Sequence, residues 1–173
     1  MSETQEIGRA YIELARERLK NRAGMIEHCV NQLSEDQVWW RPTESMNSVA
    51  NILLHLSGNI RQWIISGVGG TPDTRDRPAE FAAREQLPKA ELLQRFRQAI
   101  AESDAVLASF DPSSLLDRRR IQGSEQSILY AIWRPIEHLG GHAQEVIYIS
   151  RFQLGEDYRF AYVPKTPEQG SPA

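Results

Sequence analysis

Cysteine is almost missing from this chain: Cys29 stands alone, which excludes an intrachain disulfide framework. Long apolar runs are missing as well. No stretch approaches the ~18 uninterrupted apolar residues of a membrane span, so no membrane partner is expected. Positive charge is not in surplus, since 20 Lys and Arg stand against 23 Asp and Glu for a formal net charge of −3. Phosphate binding needs the opposite balance, and a nucleic-acid partner is therefore not expected. The basic cluster Arg118-Arg119-Arg120 follows Asp117 and reads as a solvated turn. The first residues, Met1 to Glu6, lack the basic start and apolar run of a signal peptide. A cytoplasmic protein is the expectation.

What is present fits one soluble globular domain. The chain has 173 residues, 40% hydrophobic and 25% charged, enough to bury a core without covalent staples. Helical periodicity covers four segments. In the first, from about Thr4 to Leu33, Ile12, Leu19, Ile26 and Leu33 recur every seven residues, with Ala15, Ala23 and Val30 between them. The connection from Ser34 to Met46 holds Trp39 and Trp40, which are expected to fold over one end of the core. Asn47 or Ser48 then caps a second helix running to about Ser66. Gly67-Val68-Gly69-Gly70-Thr71-Pro72 stops it. That run lacks the Gly-Lys-Ser/Thr ending of a phosphate loop and reads as a turn.

A long charged loop is expected up to Leu87, and loops of that length are often functional. Pro88 opens a third helix, with a stripe of Leu92, Phe96, Ala99, Ser103, Val106 and Phe110 that ends at Asp111-Pro112. Arg118 to Gln122 suits a short extended piece. The fourth helix is expected from about Ser127 to Phe152, bent at Pro135, where the ring removes a backbone donor. Four amphipathic helices and no convincing strand run make an all-α bundle the economical fold. A bundle domain over residues 1–153 and an irregular tail over 154–173 follow.

The chain has four histidines. His138 and His142 lie four apart on the fourth helix. Four residues rise ~6 Å and turn about 40° past a full circle, so both rings leave one face. His55 sits on the second helix within Ile52-Leu53-Leu54-His55-Leu56. A lone buried histidine there would need its own hydrogen-bond partner. Three on the inner faces of two helices explain one another better as ligands of one divalent ion. Three protein ligands leave a coordination position open, as in catalytic zinc sites.

The pattern is not that of a zinc protease, which places Glu directly after the first histidine; here Leu139 follows His138. Gly140-Gly141 either clears space for a substrate or admits a neighbouring helix. Glu145, on the ligand face, is a fourth ligand, an acceptor behind a ligand, a general base, or a solvated surface residue. Asn59, one turn from His55, could orient a ligand or substrate. Cys29 reads as a small buried hydrophobe and His28 as surface.

Asn47-Ser48-Val49-Ala50-Asn51-Ile52-Leu53-Leu54-His55-Leu56, Asn59-Ile60-Arg61-Gln62-Trp63 and Glu137-His138-Leu139-Gly140-Gly141-His142 resemble the DinB/YfiT-like superfamily of small bacterial four-helix bundles. Gln37-Val38-Trp39-Trp40-Arg41-Pro42 adds to the likeness, which covers nearly the whole chain and points to a branch of unassigned function. The resemblance implies an up-down-down-up bundle, often a homodimer, holding nickel, zinc or a similar ion through His55, His138 and His142. Some relatives are thiol S-transferases using a low-molecular-weight thiol, and others resemble maleylpyruvate isomerases. Gly141, Gln144 and Glu145 depart from the usual pattern around the last histidine, which touches the substrate pocket more than the ligands.

A metal-dependent transferase or hydrolase on a small molecule is thus one expectation, with Glu145 as proton acceptor. A non-catalytic bundle tied by a structural ion is a second, and a plain bundle with core histidines a third.

Overall fold

The computed structural model describes residues 3–84 and 87–162. Among these residues six α-helices and a small hairpin make up an all-α fold, with four long helices carrying the core. The first, α1 (Glu3–Gln32), buries Ile12, Ala15, Leu19, Ala23, Ile26 and Val30, the seam set by its seven-residue repeat. A short helix, α2 (Glu35–Trp39), follows where a loop was expected. Its cause is a capping box: the Ser34 side chain accepts from Gln37 N while Gln37 Oε1 accepts from Ser34 N. Trp39 is buried and its indole N–H donates to Leu87 O at 3.0 Å, while Trp40 stacks on Phe152.

The second long helix, α3 (Val49–Ile60), starts at a second capping box, between Ser48 and Asn51. Both residues are fully buried. Asn51 Nδ2 also donates to Glu80 O at 2.9 Å and Ala83 O at 3.1 Å, which fastens the next short helix onto α3. Beyond Ile60 the same rod continues as a π-helical stretch, Arg61–Val68. Its wide turns bury Trp63, Ile64 and Ile65 in succession, an arc that a regular α-helix would partly turn to solvent. Gly69 caps it with bonds to Ile64 O and Ser66 O.

The charged loop expected before Leu87 contains a helix, α4 (Arg77–Ala82). Asp76 caps it by accepting from Ala79 N, and Pro78 sits in the first turn, where a missing N–H costs little. Helix α5 (Lys89–Ala108) begins after Pro88 and buries Leu92, Leu93, Phe96, Ala99, Ser103 and Leu107. Leu107 takes the last core position where Val106 and Phe110 were expected; those two pack at its edge, partly buried. The extended piece at Arg118 is β1 (Arg118–Ile121), and it pairs antiparallel with β2 (Ser124–Ser127). Gln122 and Gly123, both at positive φ, form the two-residue turn that such a hairpin requires. Ile121 is buried beneath the hairpin, and Gly67 leaves the room for its tip, since a Cβ there would overlap Ile121 Cδ1.

Helix α6 (Ile128–Leu154) runs without a break through Pro135 from a cap at Ser127. Around the core, α1 packs on α6 and α5, and α3 packs on α5 and α6. Phe96, Leu19, Ile26, Leu53, Leu56 and Ile64 fill the space between them. After α6 a 3₁₀ turn, Gly155–Asp157, brings Tyr158 back onto α1. Part of the expected tail, residues 163–173, lies outside the described residues. Among the described residues no helix is long and apolar enough to cross a membrane.

Candidate metal centre

Helix α3 brings His55 to the bundle interior, where it is 6% exposed. From α6, His138 and His142 project on successive turns, both half-buried. One nitrogen from each of the three rings falls within 4.8 Å of the others, close enough to bind a metal ion. The nearest pair is His55 Nε2 and His138 Nε2, at 2.8 Å. Two bonds of ~2.1 Å span at most ~4.2 Å, so a small rotation of the rings closes the shell from that starting geometry. All three expected ligands therefore meet.

The back nitrogens of two rings are engaged by carboxylates. Glu145 Oε2 lies 2.7 Å from His142 Nδ1, and Glu80 Oε2 lies 3.1 Å from His55 Nδ1. When Nδ1–H donates to a carboxylate, the lone pair of Nε2 is left facing the shared position, the usual second layer of a histidine metal site. This donor chemistry fits a divalent transition ion.

Glu80 is buried beside Arg75, whose side chain is 3% exposed. The pair is bidentate: Arg75 Nε donates to Oε1 at 2.7 Å and Nη2 to Oε2 at 2.8 Å. Arg75 Nη1 also donates to Gln62 Oε1 at 2.9 Å, and Nη2 lies 3.0 Å from His55 Nδ1. Burial alone would push the Glu80 carboxyl up, but the hydrogen bonds of Arg75 and His55 outweigh it and hold the group below its ordinary range. Gly58 makes the arrangement possible, because a Cβ there would overlap Glu80 Oε1.

His138 is pushed down to about 4 by burial first, then by the neighbouring charges of His142, His55, Arg134 and Arg75. Its ring is thus neutral near pH 7 with a lone pair to offer. Glu145 is lowered by the His142 hydrogen bond, against the opposing effect of burial.

The Gly140-Gly141 pair does not admit a neighbouring helix. A Cβ on Gly141 would meet nothing within 4 Å, and one on Gly140 would make only an ordinary contact with Arg22 Nε at 3.6 Å. Cys29 is buried against Tyr158, with Sγ 3.4 Å from the phenol oxygen, and is not part of the histidine group. His28 is half-buried rather than on the surface, its Nε2 meeting Arg159 O. Asn59 is buried and lines a cleft of about 470 Å³ that opens beside His55 and His138.

Glu80 and Arg75 escape a reading of the sequence by histidine spacing. The signal for α4 is there in Asp76-Arg77-Pro78, a cap followed by a first-turn proline. That Glu80 would reach His55 has no sequence signature, since it depends on how the loop crosses α3.

The fold and the site together define an all-α protein with a three-histidine group able to bind a metal ion. The chain belongs to the family described as "Protein of unknown function (DUF1572)", whose model matches residues 6–167. No curated protein matches it.

Proposed function

We propose that the chain is a metal-dependent enzyme acting on a small molecule, a transferase or a hydrolase, with His55, His138 and His142 as ligands of one nickel, zinc or similar divalent ion. The observation that carries this reading is the convergence of three imidazole nitrogens within 4.8 Å, with Glu80 and Glu145 on the outer nitrogens of two rings. Three protein donors leave a position open for an exchangeable ligand, which a purely structural site does not need. A divalent ion there supplies Lewis acidity, lowering the pKa of a water or thiol that joins it.

The protein's own part is to orient the rings and shield them partly from water. Glu80, fixed by Arg75, orients His55. Glu145 orients His142 and thereby acts behind a ligand; its carboxylate is already engaged there. The likeness of the His55 and His138 segments to DinB/YfiT-like bundles favours a thiol as cosubstrate.

Elemental analysis of protein purified without a histidine tag tests the ligand set. About one ion per chain is expected, lost in His55→Ala and His142→Ala alike. A content far below one that does not rise on adding nickel or zinc would remove the proposal. In cobalt-substituted protein, a visible spectrum that shifts on adding azide indicates an open position; a spectrum indifferent to it assigns the ion a structural role.

A further inference from the structure

The cleft beside the histidines has an unusual charge balance. It is lined by His55, His138, Asn59, Gln62, Gln122 and the arginines Arg75, Arg77 and Arg134, with no Asp or Glu among the lining residues. The chain as a whole is acidic, at −3, so this positive character is local. Arg75 is neutralised by Glu80. The other two are not: among the described residues Arg134 makes no hydrogen bond or ion pair, and Arg77 only lies over the Phe81 ring at 4.9 Å.

A second observation is independent of charge. Asn59 is 4% exposed, yet its Oδ1 is buried without a hydrogen-bond partner. The amide makes no hydrogen bond among the described residues. Of the two ends of the amide only Nδ2 can donate to an anion, and no neighbour among the described residues holds it. Gln62 and Gln122 differ, since Gln122 Nε2 donates to Gln62 Oε1 and Gln62 Nε2 to Asp73 Oδ2. Their amides hold the wall in place. Asn59 lies one turn after His55 on α3, and Arg134 one turn before His138 on α6. Each ligand helix thus offers one uncommitted polar side chain to the same space.

We infer that this cleft is the recognition site for a small oxyanion, the carboxylate or phosphate of the substrate, gripped by Arg134 and Arg77 and oriented by Asn59, whose Nδ2 donates to it while Oδ1, an acceptor, takes no part in holding the anion. A planar guanidinium matches both oxyanions through paired N–H donors. The volume of about 470 Å³ suits a metabolite-sized ligand. The anion would sit beside the three histidines, so its remainder is held against the open coordination position. The inference rests on the metal-dependent reading for its role in a reaction, but binding itself can be measured without it.

Calorimetry with malonate, methyl phosphate and the neutral control malonamide tests this, on full-length protein both chelator-treated and nickel-loaded. The parent is expected to bind at least one of the two anions in both states, and malonamide at least about tenfold more weakly. Arg134→Gln and Asn59→Leu should each weaken that anion about tenfold or more, with metal content and helical circular dichroism unchanged. Anion binding by the parent in neither state overturns the inference. So does anion affinity that is equal in the parent and Arg134→Gln, because the anion would then sit on the ion alone. Elemental analysis of the same samples reports on the metal separately. Protein that takes up no ion yet binds the anion through Arg134 overturns the metal reading and leaves this one standing.

Discussion

Glu80 shows how a residue from a six-residue helix can govern a site built on two longer ones. Its carboxylate is buried, doubly bonded to Arg75 and 3.1 Å from His55 Nδ1. Removing charge there while keeping shape leaves Arg75 buried without its counter-ion and weakens the hold on the ring. Replacing the outer partner of a metal-binding histidine typically costs 10–100-fold in metal affinity. Glu80→Gln is expected to fall in that range when nickel or zinc affinity is measured by chelator competition. An affinity equal to the parent would mean that the carboxylate does not orient the ligand. Ser103, by contrast, is a buried hydroxyl on α5 without a partner among the described residues.

At the scale of elements, α6 carries most of the chemistry and one oddity. Gly141 lies exposed in mid-helix, with open space where a Cβ would go. Glycine in a helix interior costs roughly 1 kcal/mol against alanine, with no contact here to justify it structurally. Gly141→Ala should therefore raise stability by about 0.5–1 kcal/mol in urea unfolding. A loss of stability would mean that a neighbour does close on that face.

The four long helices were legible in the sequence because periodicity and caps act locally: Ile12 through Leu33 marks α1, and Ser48 marks the start of α3. The three histidines were legible as well, because i, i+4 spacing fixes direction on a helix and His55 stood on an apolar face. Helix α2 was signalled by Ser34 and Gln37 but masked by the two tryptophans. The strand β2 was hidden because Ser124-Glu125-Gln126-Ser127 has no apolar alternation. The π-helical turn after Ile60 has no residue pattern of its own; the packing of Trp63, Ile64 and Ile65 produces it. Arg134 was passed over because an arginine on a helix reads as solvated until its neighbours are known.

For the molecule as a whole, polar bridges join α1 and α5: Arg97 meets Glu27 at 2.8 Å, and a second bridge centres on Asp104. Arg16 meets Asp104 through Nε at 2.8 Å and Nη2 at 3.3 Å, and Lys20 Nζ reaches the same carboxylate at 2.8 Å. The Arg16 hydrogen bond does most to hold Asp104 below its ordinary value, against burial and with help from Lys20. A carboxylate lowered on folding stabilises the native state above its unfolded pKa, near 3.9, and that contribution fades as pH falls from there through the folded value. Asp104→Asn should thus be less stable than the parent by about 1 kcal/mol at pH 7. The gap should shrink as the pH falls below about 3.9 and close once the pH has passed the folded value. Urea midpoints over this pH range check this, and a gap independent of pH would assign the loss to packing.

The placement of His55 Nδ1 between Glu80 Oε2 and Arg75 Nη2 has a consequence for the empty and filled protein. Glu80 can only accept and Arg75 can only donate, so the single hydrogen of a neutral ring has two resting places. Lodged on Nε2 it bridges to His138, 2.8 Å away, and Arg75 completes the other side. Lodged on Nδ1 it turns to Glu80 and frees Nε2 for a cation. The same buried trio serves either arrangement, so gaining or losing a cation need not leave an unmatched charge behind the ring.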